Sequence, residues 1–165
     1  MGPVTAKEQQ QTRAVPEASP SGVPEARMEA WRALLVAHTS LTAGVERALA
    51  EEDLPPLTWY DVLSSLERAP EKAARPRDLG CGVSISRSGL TRLLDRMEEA
   101  GLIERASCPT DRRGTWVVLT AAGAEILARM RPVYERELAE GFSAEITDEE
   151  AETLSRLLGR VSGSG

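Results

Sequence analysis

The chain has 165 residues with 20 basic and 26 acidic side chains, which give a formal net charge of −6. This length allows one domain with a substantial core, and the acidic balance argues against indiscriminate binding to nucleic acids. Two cysteines, Cys81 and Cys108, are too few for a disulfide framework and suit a reducing cytoplasm. The sequence has no apolar run of transmembrane length and no signal-peptide core, so we expect a cytoplasmic protein without a membrane partner.

Charge is distributed unevenly along the chain. Between Lys72 and Arg96 there are six basic and two acidic residues, whereas between Glu135 and Glu152 there are eight acidic residues and one arginine. Such a split between regions is more informative than the net charge. It predicts a localised cationic surface on an otherwise acidic protein.

The first part of the chain has two segments of different character. Residues 1–24 are rich in Gln, Pro, Ser and Ala and lack apolar periodicity, which predicts a disordered tail. From Glu25 to about Glu52 apolar residues recur at steps of three and four, which predicts a long first helix. Its expected apolar face carries Trp31, Leu34, His38, Leu41 and Val45.

Two further helices follow the prolines at 55 and 56. Thr58 has the character of an N-cap, and Asp61 three residues later completes a capping box for the second helix. Pro70 should end this helix, and Pro76 should begin a short third helix.

The fourth helix is predicted from Ser86, its N-cap, to about Ala100. Leu90, Leu93, Leu94 and Met97 form a regular apolar stripe on it. The stretches LIERAS and TWVVLT then predict two strands, and CPTDRRG between them contains the turn of a hairpin.

Two more helices complete the chain. Thr120 should cap a fifth helix, and Thr147 with Glu150 forms a capping box for a sixth. The sixth helix carries an apolar stripe of Leu154, Leu157, Leu158 and Val161. The predicted fold is therefore mainly α with a small β-hairpin, in the order α-α-α-α-β-β-α-α.

The segment from Arg75 to Thr120 is predicted to form a helix, a turn, a second helix and a hairpin. This is the order of a winged helix-turn-helix, whose second helix enters the DNA major groove. Arginines and hydroxyls on the fourth helix suit base edges and phosphates, although an ordinary solvated cationic face would look the same. An arginine at the hairpin tip suits the narrow, negative minor groove, whereas an Asp-Arg pair can also merely stabilise a turn. The candidate DNA-binding residues are Arg75, Arg77, Ser86, Arg87, Ser88, Thr91, Arg92, Arg96, Asp111, Arg112 and Arg113.

The stretch SRSGLTRLLDRMEEAGLIER followed by CPTDRRGTWVVLTAAG resembles the MarR family of bacterial transcription regulators. The resemblance assigns the Asp-x-Arg of the family wing to Asp111 and Arg113, and the recognition-helix contacts to Arg87, Ser88, Thr91 and Arg92. It implies a homodimer on a palindromic double-stranded operator, with repression relieved by a small ligand or an oxidant.

The apolar helices outside the winged unit also indicate a partner, because their surplus apolar surface needs cover. A two-fold dimer is the commonest solution. We therefore expect a disordered tail over 1–24, a dimerisation helix over 25–56, the DNA-binding region over 57–120, and C-terminal dimerisation helices over 121–165.

Effectors of the resembled family bind between the dimerisation helices and the winged unit, which makes Trp31, His38, Trp59 and Asp61 candidate ligand-binding residues for an aromatic anion. Simpler interpretations are core packing for the tryptophans, a buried hydrogen-bonded histidine, and a helix cap for Asp61.

A thiol-based response through Cys81 or Cys108 is a further alternative, although peroxide-sensing members carry their reactive cysteine near the start of the first helix, where this chain has none. A winged protein-interaction module that does not bind DNA is another. The sequence contains no nucleophile-base pair, phosphate loop or metal-ligand spacing, so we expect neither an enzyme nor a bound metal or cofactor.

Overall fold

The computed structural model describes residues 22–79, 86–107 and 115–163. The chain divides into two compact units, Met1–Thr39 and Ser40–Gly165. Helix α1, Glu25–Glu51, begins in the first unit and ends in the second, and its bounds confirm the predicted first helix.

The second unit contains the remaining described helices and strands. They are α2 (Leu57–Arg68), a 3₁₀ turn (Pro70–Lys72), β1 (Ala73–Ala74), α3 (Pro76–Leu79), α4 (Arg87–Glu99), β2 (Ile103–Ser107), β3 (Thr115–Leu119), α5 (Ala121–Leu138), a π-helical turn (Ala139–Ser143) and α6 (Asp148–Ser162). This order confirms a mainly helical winged fold.

Helix α4 is built as its sequence predicts. The Ser86 hydroxyl accepts a hydrogen bond from the Gly89 backbone N–H at 3.1 Å, and Gly101 takes a positive φ of 72° just after the helix. The apolar stripe of α4 is buried, and it shares one core with side chains from α2, β2 and β3. This core includes Val62, Leu63, Leu66, Leu90, Leu93, Leu94, Met97, Ile103 and Val117.

The sheet has three antiparallel strands in the order β1-β3-β2, one more than predicted. Ala73 pairs with Val118 and Ala74 with Val117, while β2 pairs with β3 from Ile103↔Leu119 to Ser107↔Thr115. The prediction missed β1 because two alanines carry no alternating pattern. Only pairing with β3, a tertiary contact, makes them a strand.

Helix α5 starts in close contact with the base of the hairpin. The Thr120 hydroxyl accepts from the Gly123 N–H at 3.0 Å, which confirms the predicted cap, and donates to the Gly101 carbonyl at 2.8 Å. A Cβ on Gly123 would lie 2.1 Å from the Leu102 carbonyl oxygen. Only glycine therefore allows α5 to approach β2 this closely.

Further along, α5 contributes to a second core. Met130 and Val133 are buried there with Val45, Ala48 and Leu49 from the end of α1. The rings of Tyr60 on α2 and Tyr134 on α5 stack with centroids 4.4 Å apart. Helix α5 thus joins the winged unit to the end of α1.

The start of α2 differs from the prediction. The helix begins at Leu57, Pro56 occupies the N-cap position, and no side chain caps it. Thr58 therefore lies inside the first turn, where its backbone is already helical, and the capping box predicted for Thr58 and Asp61 is wrong. Pro56 has no backbone N–H and no side-chain oxygen, so it can neither donate nor accept a capping hydrogen bond.

Helix α6 confirms its predicted capping box. Thr147 accepts from the Glu150 N–H at 3.3 Å, and the Thr147 N–H donates to the Glu150 carboxylate at 2.9 Å. None of its residues is buried among the described part of the chain. None of the described helices is both long and apolar enough to cross a bilayer.

Candidate nucleic-acid interface

The outer face of α4 presents the side chains that the sequence nominated for DNA. Because the opposite stripe is buried in the core, the candidate DNA-binding residues of this helix are turned outward, and all of them are exposed. The Ser86 and Ser88 hydroxyl oxygens lie 3.2 Å apart at the start of the helix, and Thr91 donates to the Arg87 carbonyl at 3.2 Å. The exposed set comprises Ser86, Arg87, Ser88, Thr91, Arg92 and Arg96.

An open cleft of about 590 Å³ lies beside this face. It is lined by Thr58 at the start of α2 and by Gly89, Arg92, Leu93, Asp95 and Arg96 of α4. Two of the nominated arginines therefore border one concave surface, which gives the face shape as well as charge.

Arg105 of β2 joins the hairpin to α4, although no pattern in the sequence marks it. Its guanidinium donates to Asp95 at 2.7 Å and makes a short hydrogen bond to Glu98, whose other carboxylate oxygen accepts from the Arg105 backbone N–H at 3.2 Å. Burial lowers the pKa of Arg105, but the hydrogen bonds and charges of Asp95 and Glu98 outweigh it and raise that pKa. The guanidinium stays charged and fixed.

Arg75 lies at the other edge of the sheet. Its guanidinium carbon is 5.6 Å from the centre of the Trp116 ring, within the range of a cation–π contact. Extending the β1–β3 register by one residue sets position 75 opposite 116, which explains the contact. Sequence reasoning missed Trp116 because it missed β1.

Arg77 is exposed on α3 and pairs with Asp78 at 3.4 Å. The nominated residues at the hairpin tip, Asp111, Arg112 and Arg113, lie outside the described residues, as do Cys81 and Cys108. Residues 108–114 connect Ser107 to Thr115, the last pair of the β2–β3 ladder.

The four candidate effector residues are divided between the two units. In the first unit Trp31 is 53% exposed and His38 is also exposed, so the simpler interpretation of both as buried core residues is wrong for the single chain. The apolar stripe of this part of α1 meets too little neighbouring surface within its own unit to be covered.

In the second unit Trp59 and Asp61 are half-buried on α2. The indole N–H of Trp59 is buried and has no acceptor among the described residues. Burial, and to a lesser degree the charge of Glu46, raise the pKa of Asp61 to about 6, while Arg68 opposes the shift. Since residues two apart on a helix do not face each other, these side chains point in different directions.

No cluster of three or more metal-ligating side chains occurs among the described residues.

Residues 52–114 match the model of the MarR family. Sco3205 of Streptomyces coelicolor, a MarR family transcriptional regulator solved in complex with DNA, is 27% identical with a TM-score of 0.78, over 88% of this chain and 91% of that one. Over residues 52–114 the chain therefore resembles the MarR family in sequence, and over most of its length it is similar in fold to a DNA-bound member.

Two further members show the same likeness. AbsC of Streptomyces coelicolor, a MarR family transcriptional regulator, is 27% identical with a TM-score of 0.76, over 86% of this chain and 95% of that one. A cysteine-to-serine mutant of MarR from E. coli, complexed with operator DNA, is 27% identical with a TM-score of 0.70, over 83% and 96%. These likenesses favour the expected transcription regulator over an enzyme.

Proposed function

We propose that the protein is a bacterial cytoplasmic repressor that binds a pseudo-palindromic operator as a homodimer and is released by a small ligand. The observation that carries this proposal is the exposed cationic face of α4, held outward by its buried apolar stripe. A recognition helix needs this combination of a fixed inner face and free polar groups at its N-terminal end. Sco3205 and the E. coli MarR mutant, whose structures contain DNA, support it.

In the proposed complex the residues divide into base and phosphate contacts. The polar residues at the start of α4 enter the major groove, where arginine suits guanine and hydroxyls suit bases or phosphates. They are Ser86, Arg87, Ser88, Thr91 and Arg92. Arginines farther from the helix start serve phosphates. This second group comprises Arg75, Arg77 and Arg96.

At the hairpin tip we propose that Arg113 enters the minor groove. Asp111 orients its guanidinium, and Arg112 lies nearer the phosphates. The hydrogen bonds from Arg105 to Asp95 and Glu98 of α4 support this arrangement, because they hold β2 against the helix.

The homodimer is supported by uncovered apolar surface in each unit. On α6, Leu154, Leu157 and Leu158 are 36%, 44% and 36% exposed, and Val161 is 80% exposed. On the first part of α1, Leu35 and Val36 are 47% and 69% exposed. A second copy would cover such stripes, and two-fold symmetry would supply a second recognition helix for the other half-site.

We retain an aromatic anion as the proposed effector, with Trp31, His38, Trp59 and Asp61 as candidate contacts. The buried indole N–H of Trp59 is a donor that a carboxylate or phenolate would satisfy. Such a ligand would release DNA only if it binds the DNA-incompetent state more tightly.

The test is a footprint and a mobility shift on the promoter beside the gene. We expect protection of two half-sites about 10 bp apart, and a linear fall of log affinity with log salt. Arg92→Ala and Arg113→Ala should each weaken binding by about 1–3 kcal/mol, whereas Arg129→Ala, an exposed arginine on α5, should not. Protection of a single half-site by a monomer would contradict the proposal.

A further inference from the structure

Three hydrogen bonds connect residue 105 of β2 to one side of α4. Two come from the guanidinium, one to Asp95 at 2.7 Å and a short one to Glu98, and the third comes from the Arg105 N–H to Glu98 at 3.2 Å. Asp95 and Glu98 are three residues apart, so they project from the same side of the helix. Glu98 accepts from both the backbone and the side chain of Arg105, which fixes the strand itself as well as the guanidinium.

The position of Arg105 in the strand explains why it can reach the helix. Alternate residues of a strand point to the same face, and Ile103, two residues earlier, is 2% exposed in the core shared with α4. Arg105 continues this inward face at the point where the apolar core ends, and its side chain remains 29% exposed. The ion pair therefore extends the contact between α4 and the hairpin beyond the reach of apolar packing.

This contact lies between the two parts of the interface. On α4, Asp95 lines the same cleft as Arg92 and Arg96. On β2, only Ala106 and Ser107 follow Arg105 before the end of the ladder. A small rotation of β2 about its base would displace the end of the ladder at Ser107 and Thr115 relative to α4. The ion pairs resist that rotation because both terminal nitrogens of the guanidinium are engaged.

We propose that Arg105 is a positioning residue for operator binding: it acts through Asp95 and Glu98 to fix the hairpin relative to the recognition helix. The inference rests on the proposed function. Arg105 is not itself a DNA contact in this account, since its guanidinium is already occupied by two carboxylates.

The carboxylates give the sharpest test because two accounts predict opposite signs. If only charge mattered, Glu98→Gln and Asp95→Asn would remove negative charge close to DNA and tighten operator binding. If they hold Arg105 in place, each change should weaken binding by about tenfold, within the range for residues that act without touching the ligand. Glu99→Gln is the matched control, since Glu99 is exposed on the same helix and has no part in these hydrogen bonds.

A second measurement separates positioning from general stability. Arg113→Ala should cost less in the Glu98→Gln background than in the wild type, because a tip that is no longer held in register has less to lose. Arg105→Lys should bind between wild type and Arg105→Gln, since lysine keeps the charge but lacks the planar fork. Melting temperatures of all variants show whether any of them has lost its fold. If Glu98→Gln has, the operator affinity of Asp95→Asn tests the same contact independently.

The inference would be overturned if Glu98→Gln and Asp95→Asn bound the operator more tightly, as charge alone predicts for Glu99→Gln. So would full additivity of Glu98→Gln and Arg113→Ala. Failure of the wild-type protein to bind any promoter fragment would instead overturn the proposed function, so the two failures are distinguishable.

Discussion

Helices α4 and α6 carry the same apolar pattern and have different environments. Each has four large apolar residues at spacings of i, i+3, i+4 and i+7. On α4 their exposures are 6%, 3%, 1% and 0%, for Leu90, Leu93, Leu94 and Met97. On α6 they are 36%, 44%, 36% and 80%, for Leu154, Leu157, Leu158 and Val161.

The difference shows what periodicity reports. It identifies which face of a helix is apolar, but the neighbours that cover that face come from elsewhere in the chain or from another molecule. Helix α4 is covered by α2 and the hairpin, so its outer face can be held rigidly toward a ligand. Helix α6 keeps its stripe uncovered within the described chain, which leaves that surface for a partner.

The largest expected difference is between leucine truncations on the two helices. Leu94→Ala should lower the free energy of unfolding by about 2–5 kcal/mol, because it empties a well-packed site. This loss should not depend on protein concentration. Leu158→Ala should mainly weaken association, so its effect on unfolding should shrink as concentration falls. Urea denaturation at two protein concentrations measures both.

Sedimentation supplies the control for this pair, because it reports the mass of each variant before unfolding begins. Leu94→Ala should retain the association state of the wild type. If Leu158→Ala and the wild type have the same concentration dependence, the stripe on α6 does not hold a dimer.

The glycines of the two regions should respond with opposite signs. Gly123→Ala forces a Cβ to 2.1 Å from the Leu102 carbonyl oxygen, and we expect a loss of about 1–3 kcal/mol, as for other overpacked sites. A Cβ on Gly159 of α6 meets nothing within 4 Å, so Gly159→Ala should stabilise that helix by about 1 kcal/mol. Thermal unfolding of both variants checks the signs. A harmless Gly123→Ala would mean that α5 does not approach the hairpin base this closely.

The features predicted from sequence are those that neighbouring residues determine. The side chains of Ser86, Thr120 and Thr147 each accept a hydrogen bond from the backbone N–H three residues later, and all three caps are present. The predicted cap at Thr58 is wrong because the N-cap is Pro56, so α2 begins two residues earlier, at Leu57. Features that depend on tertiary pairing escaped prediction, among them β1.

The same distinction applies to the candidate site. Exposure of the arginines on α4 follows from a single helix period, and the structure confirms it. The roles of Arg105 and Trp116 require knowledge of which strand lies against which helix or strand. Neither contact leaves a local pattern, since each joins two different elements of the fold. Assignment of these residues to DNA contacts stays a prediction.

A smaller effect separates two carboxylates. Burial and Glu46 raise the pKa of Asp61 from 3.8 to about 6. A raised pKa means that the folded state holds the proton more tightly than the unfolded state, so the contribution to stability is present below pH 3.8 and is lost as pH rises through about 6. Asp61→Asn should remove this dependence and stabilise the protein at neutral pH. Denaturation midpoints between pH 4 and 8 measure it.

Glu150 on α6 provides the opposite case. Hydrogen bonds from the Thr147 backbone and side chain lower the pKa of Glu150, so its contribution is present above its unfolded pKa of 4.5 and is lost as pH falls through the lower folded value. Glu150→Gln should flatten the acid side of the plot of stability against pH.

Equal slopes of stability against pH for Asp61→Asn and wild type between pH 4 and 7 would contradict the raised pKa of Asp61.

The smallest expected effects come from the caps of the two compared helices. Ser86→Ala removes the acceptor for the Gly89 N–H, and Thr147→Ala removes the acceptor for the Glu150 N–H. Each should cost about 1 kcal/mol or less. Because α4 is packed in the core, Ser86→Ala should lower global unfolding stability. Because α6 is uncovered, Thr147→Ala should increase hydrogen exchange at the start of α6 and leave the amides of the α4 core unchanged. Residue-resolved exchange distinguishes these outcomes, and uniform acceleration by Thr147→Ala would show that α6 is coupled to the winged core after all.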